Sequence, residues 1–183
     1  MRRSFLLVLA VAGILAAVAV TDVPADVSQS VNTRIKEIEA FSYCSIPYSG
    51  GFSEMGNALN GLVGAMANQA IAPSGELLAI YHLTPSGGIP DQIEYEIGFP
   101  ITAQVFPQPP LQKKEWQYSQ VAYAEHKGDY TNSADTVDAM LDWIDAHGYV
   151  QEGPILGRFL VVPSEDVRTR DLRTEIWIPI TKK

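Results

Sequence analysis

The sequence holds a single cysteine, Cys44, among 183 residues. An intramolecular disulfide is therefore impossible. Cys44 falls in a strand-like run over 39–48, where a lone cysteine serves as a small buried apolar residue. Histidine is almost as scarce. His82, His126 and His147 share no His-x-x-x-His or His/Cys spacing, so no zinc site is expected. His82 and His126 lie on different strands and meet only if the fold joins them. No Gly-x-Ser-x-Gly elbow and no phosphate-binding glycine loop occurs, and no cofactor is expected. Basic residues are few as well, with 13 Lys and Arg against 21 Asp and Glu and a net charge of −8. No basic run exceeds two residues. A nucleic-acid-binding domain needs a basic face, so no nucleic-acid partner is expected.

Long apolar runs are also lacking, with one exception. Phe5–Val20 follows Arg2 and Arg3 and precedes Thr-Asp-Val-Pro-Ala-Asp. That is the charged, apolar and small-residue order of a secretory signal, and the run falls short of the ~20 residues of a spanning helix. The expectation is a signal peptide over 1–25, or an N-terminal anchor if it is not cleaved. A short linker over 26–33 and a folded domain over 34–183 follow. The protein is then exported, either periplasmic or anchored to the membrane and facing away from the cytoplasm. Only the N-terminal segment would touch the membrane.

What is present is a repeat. Glu96-Ile-Gly-Phe-Pro-Ile101 and Glu175-Ile-Trp-Ile-Pro-Ile180 match at four of six positions. Ile46–Phe52 lines up with Ala124–Tyr130, and Gly75–Leu83 with Gly153–Val161, at nearly the same offset. Gly50 then meets Gly128, and Tyr81 meets Phe159. Two copies are too few for a solenoid. The order of blocks predicts one pseudo-symmetric domain, with halves over about 34–105 and 115–181. In the first half, strands are expected over 34–48, 76–83 and 93–101, with a helix over 53–68 capped by Ser53. In the second half, strands are expected over 117–126, 154–162 and 172–180, with a helix over 134–147. Asn132 or Ser133 would cap that helix and Gly148 would end it. Phe106-Pro-Gln-Pro-Pro110 reads as a stiff linker. The fold class is α+β, a tandem duplication of strand–helix–strand–strand units. The units would form a curved antiparallel sheet with two helices on one face and a central cleft.

Strand parity divides the last strand. Thr174, Ile176, Ile178 and Ile180 should face the helices. Glu175, Trp177 and Pro179 should face away. Glu94, Glu96 and Gly98 share the corresponding face in the first half, and Gly98 in place of Trp177 would leave an asymmetric groove. A carboxylate beside aromatic rings suits a cation, with cation–π attraction of ~0.5–2 kcal/mol. Desolvated, it suits a general base.

These residues carry a resemblance. Lys127-Gly-Asp-Tyr130, Trp143, Gly148, Gly153-Pro154 and Arg173-Thr-Glu-Ile-Trp-Ile-Pro-Ile180 resemble the GyrI-like small-molecule-binding domain, also the effector-binding domain of bacterial transcription activators. The resemblance spans about 34–181, with no helix-turn-helix before it. It implies a cleft for amphipathic or cationic aromatic compounds, with the glutamate matching Glu175 at its centre. It also implies that some members hydrolyse small strained electrophiles with that glutamate. The expected function is binding of a hydrophobic, cationic or aromatic small molecule. The expected lining is Glu175, Trp177, Tyr81, Phe159, Tyr123, Tyr130 and Glu96. The alternative is a hydrolase of reactive electrophiles with Glu175 as catalytic base. The SOUL haem-binding proteins share a similar fold, but no haem or metal ligand is assigned.

Overall fold

The computed structural model describes residues 31–50, 55–82, 93–162 and 166–183. The expected signal segment and the Ser53 cap lie outside the described residues. No described helix is long and apolar enough to cross a membrane.

Strand β1 (Arg34–Glu37) and strand β2 (Phe41–Gly50) replace the single strand expected over 34–48. Helix α1 (Met55–Asn68), β3 (Leu77–Tyr81) and β4 (Ile93–Pro100) complete the first half. The second half repeats the order as β5 (Gln112–Trp116), β6 (Gln120–Lys127), α2 (Ser133–Ala146), β8 (Ile155–Val161) and β9 (Arg173–Lys182). A three-residue strand, β7 (Tyr149–Gln151), pairs with β9. The main path of the antiparallel sheet runs β1-β6-β9-β8-β3-β4-β2-β5.

The pseudo-twofold axis passes between β3 and β8, where Ala79 faces its own repeat mate Gly157. The edges are crossed. β1 opens the first half but pairs with β6 of the second, and β5 opens the second half but pairs with β2 of the first. Beyond Glu37 the pairing with β6 runs out at one last bond, from the Ile38 amide to the carbonyl of the next residue in register, Ser119, at 2.7 Å.

Both helices lie on one face, as expected. Leu62 and Met66 of α1 pack with Leu77, Ala79, Tyr95 and Ile97. Val137, Met140 and Ile144 of α2 pack with Ile155, Ile176, Ile178 and Ile180. Cys44 is fully buried under α1, and burial raises its thiol pKa, which suits packing rather than reactivity. The start of α2 differs from expectation. Asn132 occupies the capping position without a side-chain bond, because a 3-10 turn over Tyr130–Asn132 runs straight into the helix. Asp129 caps that turn through the Thr131 amide. Gly148 ends α2 with φ 77°, a left-handed geometry that glycine adopts without penalty.

Candidate ligand-binding site

The sheet face opposite α1 and α2, free of helices among the described residues, carries an aromatic cluster. Tyr43, Trp116 and Trp177 are buried there with Leu78, Ile80, Val121 and Leu156, and Phe41, Tyr118 and Tyr123 pack around them. Trp116 stacks edge-on against Tyr118 at 5.0 Å and against Trp177 at 6.3 Å between centroids. The Trp116 indole N–H is buried with no hydrogen-bond partner, an unusual cost for a native domain.

Glu175 sits at one end of this cluster. It accepts from the Trp177 indole at 2.6 Å and from Arg158 at 3.2 Å, and pairs with the Lys36 ammonium. Lys36 lies 4.3 Å from the Trp177 ring centroid and 4.5 Å from that of Tyr123. Arg158 lies 5.0 Å from the Trp177 ring. The result is a cation box of one carboxylate and two rings, filled by the protein's own lysine.

Glu96 occupies the equivalent place in the first half. It accepts from Ser45 at 2.7 Å and from Lys114 at 2.5 Å, and it bonds His82 at 2.5 Å. Burial raises its pKa, but the bonds from Lys114, Ser45 and His82 outweigh that and hold the carboxyl below its ordinary range. An open groove of about 450 Å³ lies beside it, lined by Pro47, Tyr48, Ser49, His82, Glu94 and Tyr95.

The predicted site residues do not converge. Glu175, Trp177, Tyr123 and Glu96 lie on the helix-free face. Tyr81, Phe159 and Tyr130 lie on the helix side and share a small cavity between α2 and the sheet. Strand parity separates them: Leu78 and Ile80 point to the aromatic cluster, and Leu77, Ala79 and Tyr81 point the other way. The space expected at Gly98 is also filled. A Cβ there would stand 2.5 Å from the Cys44 carbonyl oxygen and 2.9 Å from Ser45 Cβ, because β2 runs tight against β4 at this pair. Gly98 serves close backbone approach, not a groove.

His126 is structural, bonded to Thr136 and to the Asp129 carbonyl at 2.8 Å each. It points to the helix side, away from His82. No cluster of three or more metal-ligating side chains occurs among the described residues.

Lys36, Lys114 and Arg158 were missed by sequence reasoning. One signal was available: Lys36-Glu37 and Lys114-Glu115 repeat at an offset of 78. The first half's lysine neutralises the second half's glutamate, and the converse also holds.

A family model for the GyrI-like small-molecule-binding domain matches residues 32–181. The chain belongs to the GyrI-like family. A GyrI-like domain is a small-molecule-binding fold. No curated protein matches the chain. Among solved structures, the EcmrR C-terminal domain superposes with a TM-score of 0.71 at 15% identity, over 84% of this chain and 99% of that one. A hydrolase encoded by lin2189 from Listeria innocua gives 0.64 at 9% identity, over 81% and 91%. An uncharacterized conserved protein from the same organism gives 0.65 at 10%, over 81% and 92%. At these identities the likeness establishes the GyrI-like fold alone.

Proposed function

We propose that this domain binds a hydrophobic small molecule bearing a cationic group on the helix-free face. The charge sits at Glu175, Trp177 and Tyr123 wall it, and the apolar part covers the neighbouring aromatic cluster. One observation carries this reading. The box already holds an ammonium, Lys36, at cation–π distance from both rings. Lys36 is about a quarter exposed and stands on a four-residue edge strand, so a ligand's cation can replace it at modest cost. Tyr81, Phe159 and Tyr130 take no part in this site.

The test is titration with benzyltrimethylammonium, followed by tryptophan fluorescence. Lys36→Met removes the internal competitor and is expected to tighten binding about tenfold, or ~1.4 kcal/mol. Glu175→Gln is expected to weaken it by a similar factor. If both variants bind like the parent, the assignment is wrong.

The hydrolase alternative draws its interest from Glu175 as base. Lys36, Arg158 and Trp177 donate three hydrogen bonds to that carboxylate, which leaves one of its roughly four acceptor sites for a substrate proton, and a base must place that site within reach of the proton. Binding is therefore the preferred reading. Turnover of a strained electrophile that disappears in Glu175→Gln would reverse the order. We further propose that the domain works outside the cytoplasm. This rests on Arg2, Arg3 and the Phe5–Val20 run, and cell fractionation of the full chain checks it.

A further inference from the structure

The cation box has a fourth charged member. Arg158 stands directly opposite Glu175 on β9 and directly opposite Leu78 on β3. Its guanidinium is divided between two carboxylates. One nitrogen donates to Glu175 at 3.2 Å. The other donates to Glu76, just before β3, at 2.7 Å, and this is the shorter bond. It is also the largest of the causes that hold the Glu76 carboxyl below its ordinary pKa range, so Glu76 is ionised at neutral pH. Lys36, Glu175, Arg158 and Glu76 therefore form a chain of alternating charge across the sheet.

That chain sums to zero while Lys36 is in place. The next step rests on the reading that a ligand's cation replaces Lys36. Once Lys36 leaves, the other three groups carry one net negative charge, and a single positive charge on the ligand restores the balance. Without Glu76 the sum changes. Arg158 and Glu175 would cancel each other, and a ligand cation would meet a neutral box. A released guanidinium could also turn both nitrogens onto Glu175, the stronger paired geometry. Glu125, opposite Glu175 in the ladder, does not alter this count. It is paired with Arg173 at 3.5 Å, and Lys127 at 3.9 Å is mostly exposed.

The duplication supplies no counterpart to the Arg158–Glu76 pair. Ile80 matches Arg158, and Pro154 matches Glu76. The lysine–glutamate pair occurs in both halves. The arginine–glutamate pair occurs once, at the carboxylate that Trp177 and Tyr123 flank. We infer that Glu76 is a positioning residue for the box: by drawing Arg158 off Glu175, it selects a ligand with a single positive charge over a neutral molecule of the same shape. Exposure rises from 15% at Glu175 through 24% at Arg158 to 44% at Glu76. Solvent screens the outer charges more, so the effect of Glu76 is modest.

Benzyltrimethylammonium and its uncharged carbon isostere, neopentylbenzene, are titrated into the full chain and its variants, with tryptophan fluorescence as the readout. Glu76→Gln is expected to weaken the cation about threefold and to leave the isostere unchanged. Arg158→Met removes the group through which Glu76 acts. In that background Glu76→Gln should change nothing, whereas a direct attraction between Glu76 and the ligand would persist. Arg158→Gln takes its place if Arg158→Met does not fold. Unchanged cation affinity in Glu76→Gln would overturn the inference. So would equal weakening of cation and isostere, or a loss that persists in full without Arg158. If the parent does not bind benzyltrimethylammonium at all, the inference falls together with the site. If Glu175→Gln weakens the cation and Glu76→Gln does not, this inference falls alone and the site stands.

Discussion

Glu96 and Glu175 occupy the same place in two copies of one unit, yet their surroundings have diverged. Each receives a lysine from the opposite half, Lys114 and Lys36. Beyond that the copies part. Tyr123 opposite Trp177 becomes Ser45 opposite Gly98, and Arg158 becomes Ile80. The first carboxylate is held by Ser45, Lys114 and His82 at 5% exposure. The second is partly buried at 15% and stands beside Trp177 and Tyr123. The shared lysine–glutamate pair is therefore architecture that ties edge strand to sheet. The aromatic ring set, present once, is where ligand recognition can reside.

That division can be broken most forcefully at Trp177. Trp177→Ala makes the second half resemble the first and leaves a hole among Trp116, Phe41 and Tyr123. A loss of about 3–5 kcal/mol is expected, read from urea unfolding. The converse change is Gly98→Ala. Its Cβ would press on the Cys44 carbonyl and Ser45, and overpacking of this kind costs about 1–3 kcal/mol. If Gly98→Ala unfolds like the parent, β2 and β4 are looser than described.

The carboxylates themselves should separate by a smaller margin. Glu96→Gln strips a buried acceptor from Ser45, Lys114 and His82, at about 1–3 kcal/mol. Glu175→Gln, more open to solvent, should cost under about 1 kcal/mol. Equal losses at the two positions would erase the distinction between a structural glutamate and the one proposed to bind ligand. The smallest expected effect is in acid. The folded-state pKa of Glu96 is lowered. Its stabilisation is thus present above the ordinary carboxylate value, about 4.3, and is lost as pH falls through the lower native value. Glu96→Gln should flatten the acid limb of a stability–pH curve below about pH 4.3 and leave the neutral region parallel to the parent.

Much of this was legible in the sequence. The repeat at nearly one offset gave the duplication, and the alternation in β9 put its isoleucines under α2 and Glu175 with Trp177 on the other face. The position of Tyr81 and Phe159 was not legible for a physical reason. Leu77–Tyr81 is apolar throughout and its first four residues are buried. A central strand covered on both faces has no polar side to orient it. The Gly98 groove failed because an absent side chain says nothing about how near the next backbone runs. Lys36 and Glu175 are 139 residues apart. Only the sheet order joins them, and β1 had been merged into β2.

The crossed edges have one more consequence. Each half borrows its outermost strand from the other, so a half-length chain could not finish its own sheet. Two such chains could do so only by trading N-terminal arms. The protein reads as that pair of arm-exchanged partners written into one polypeptide, with Lys36 and Lys114 as the handclasps.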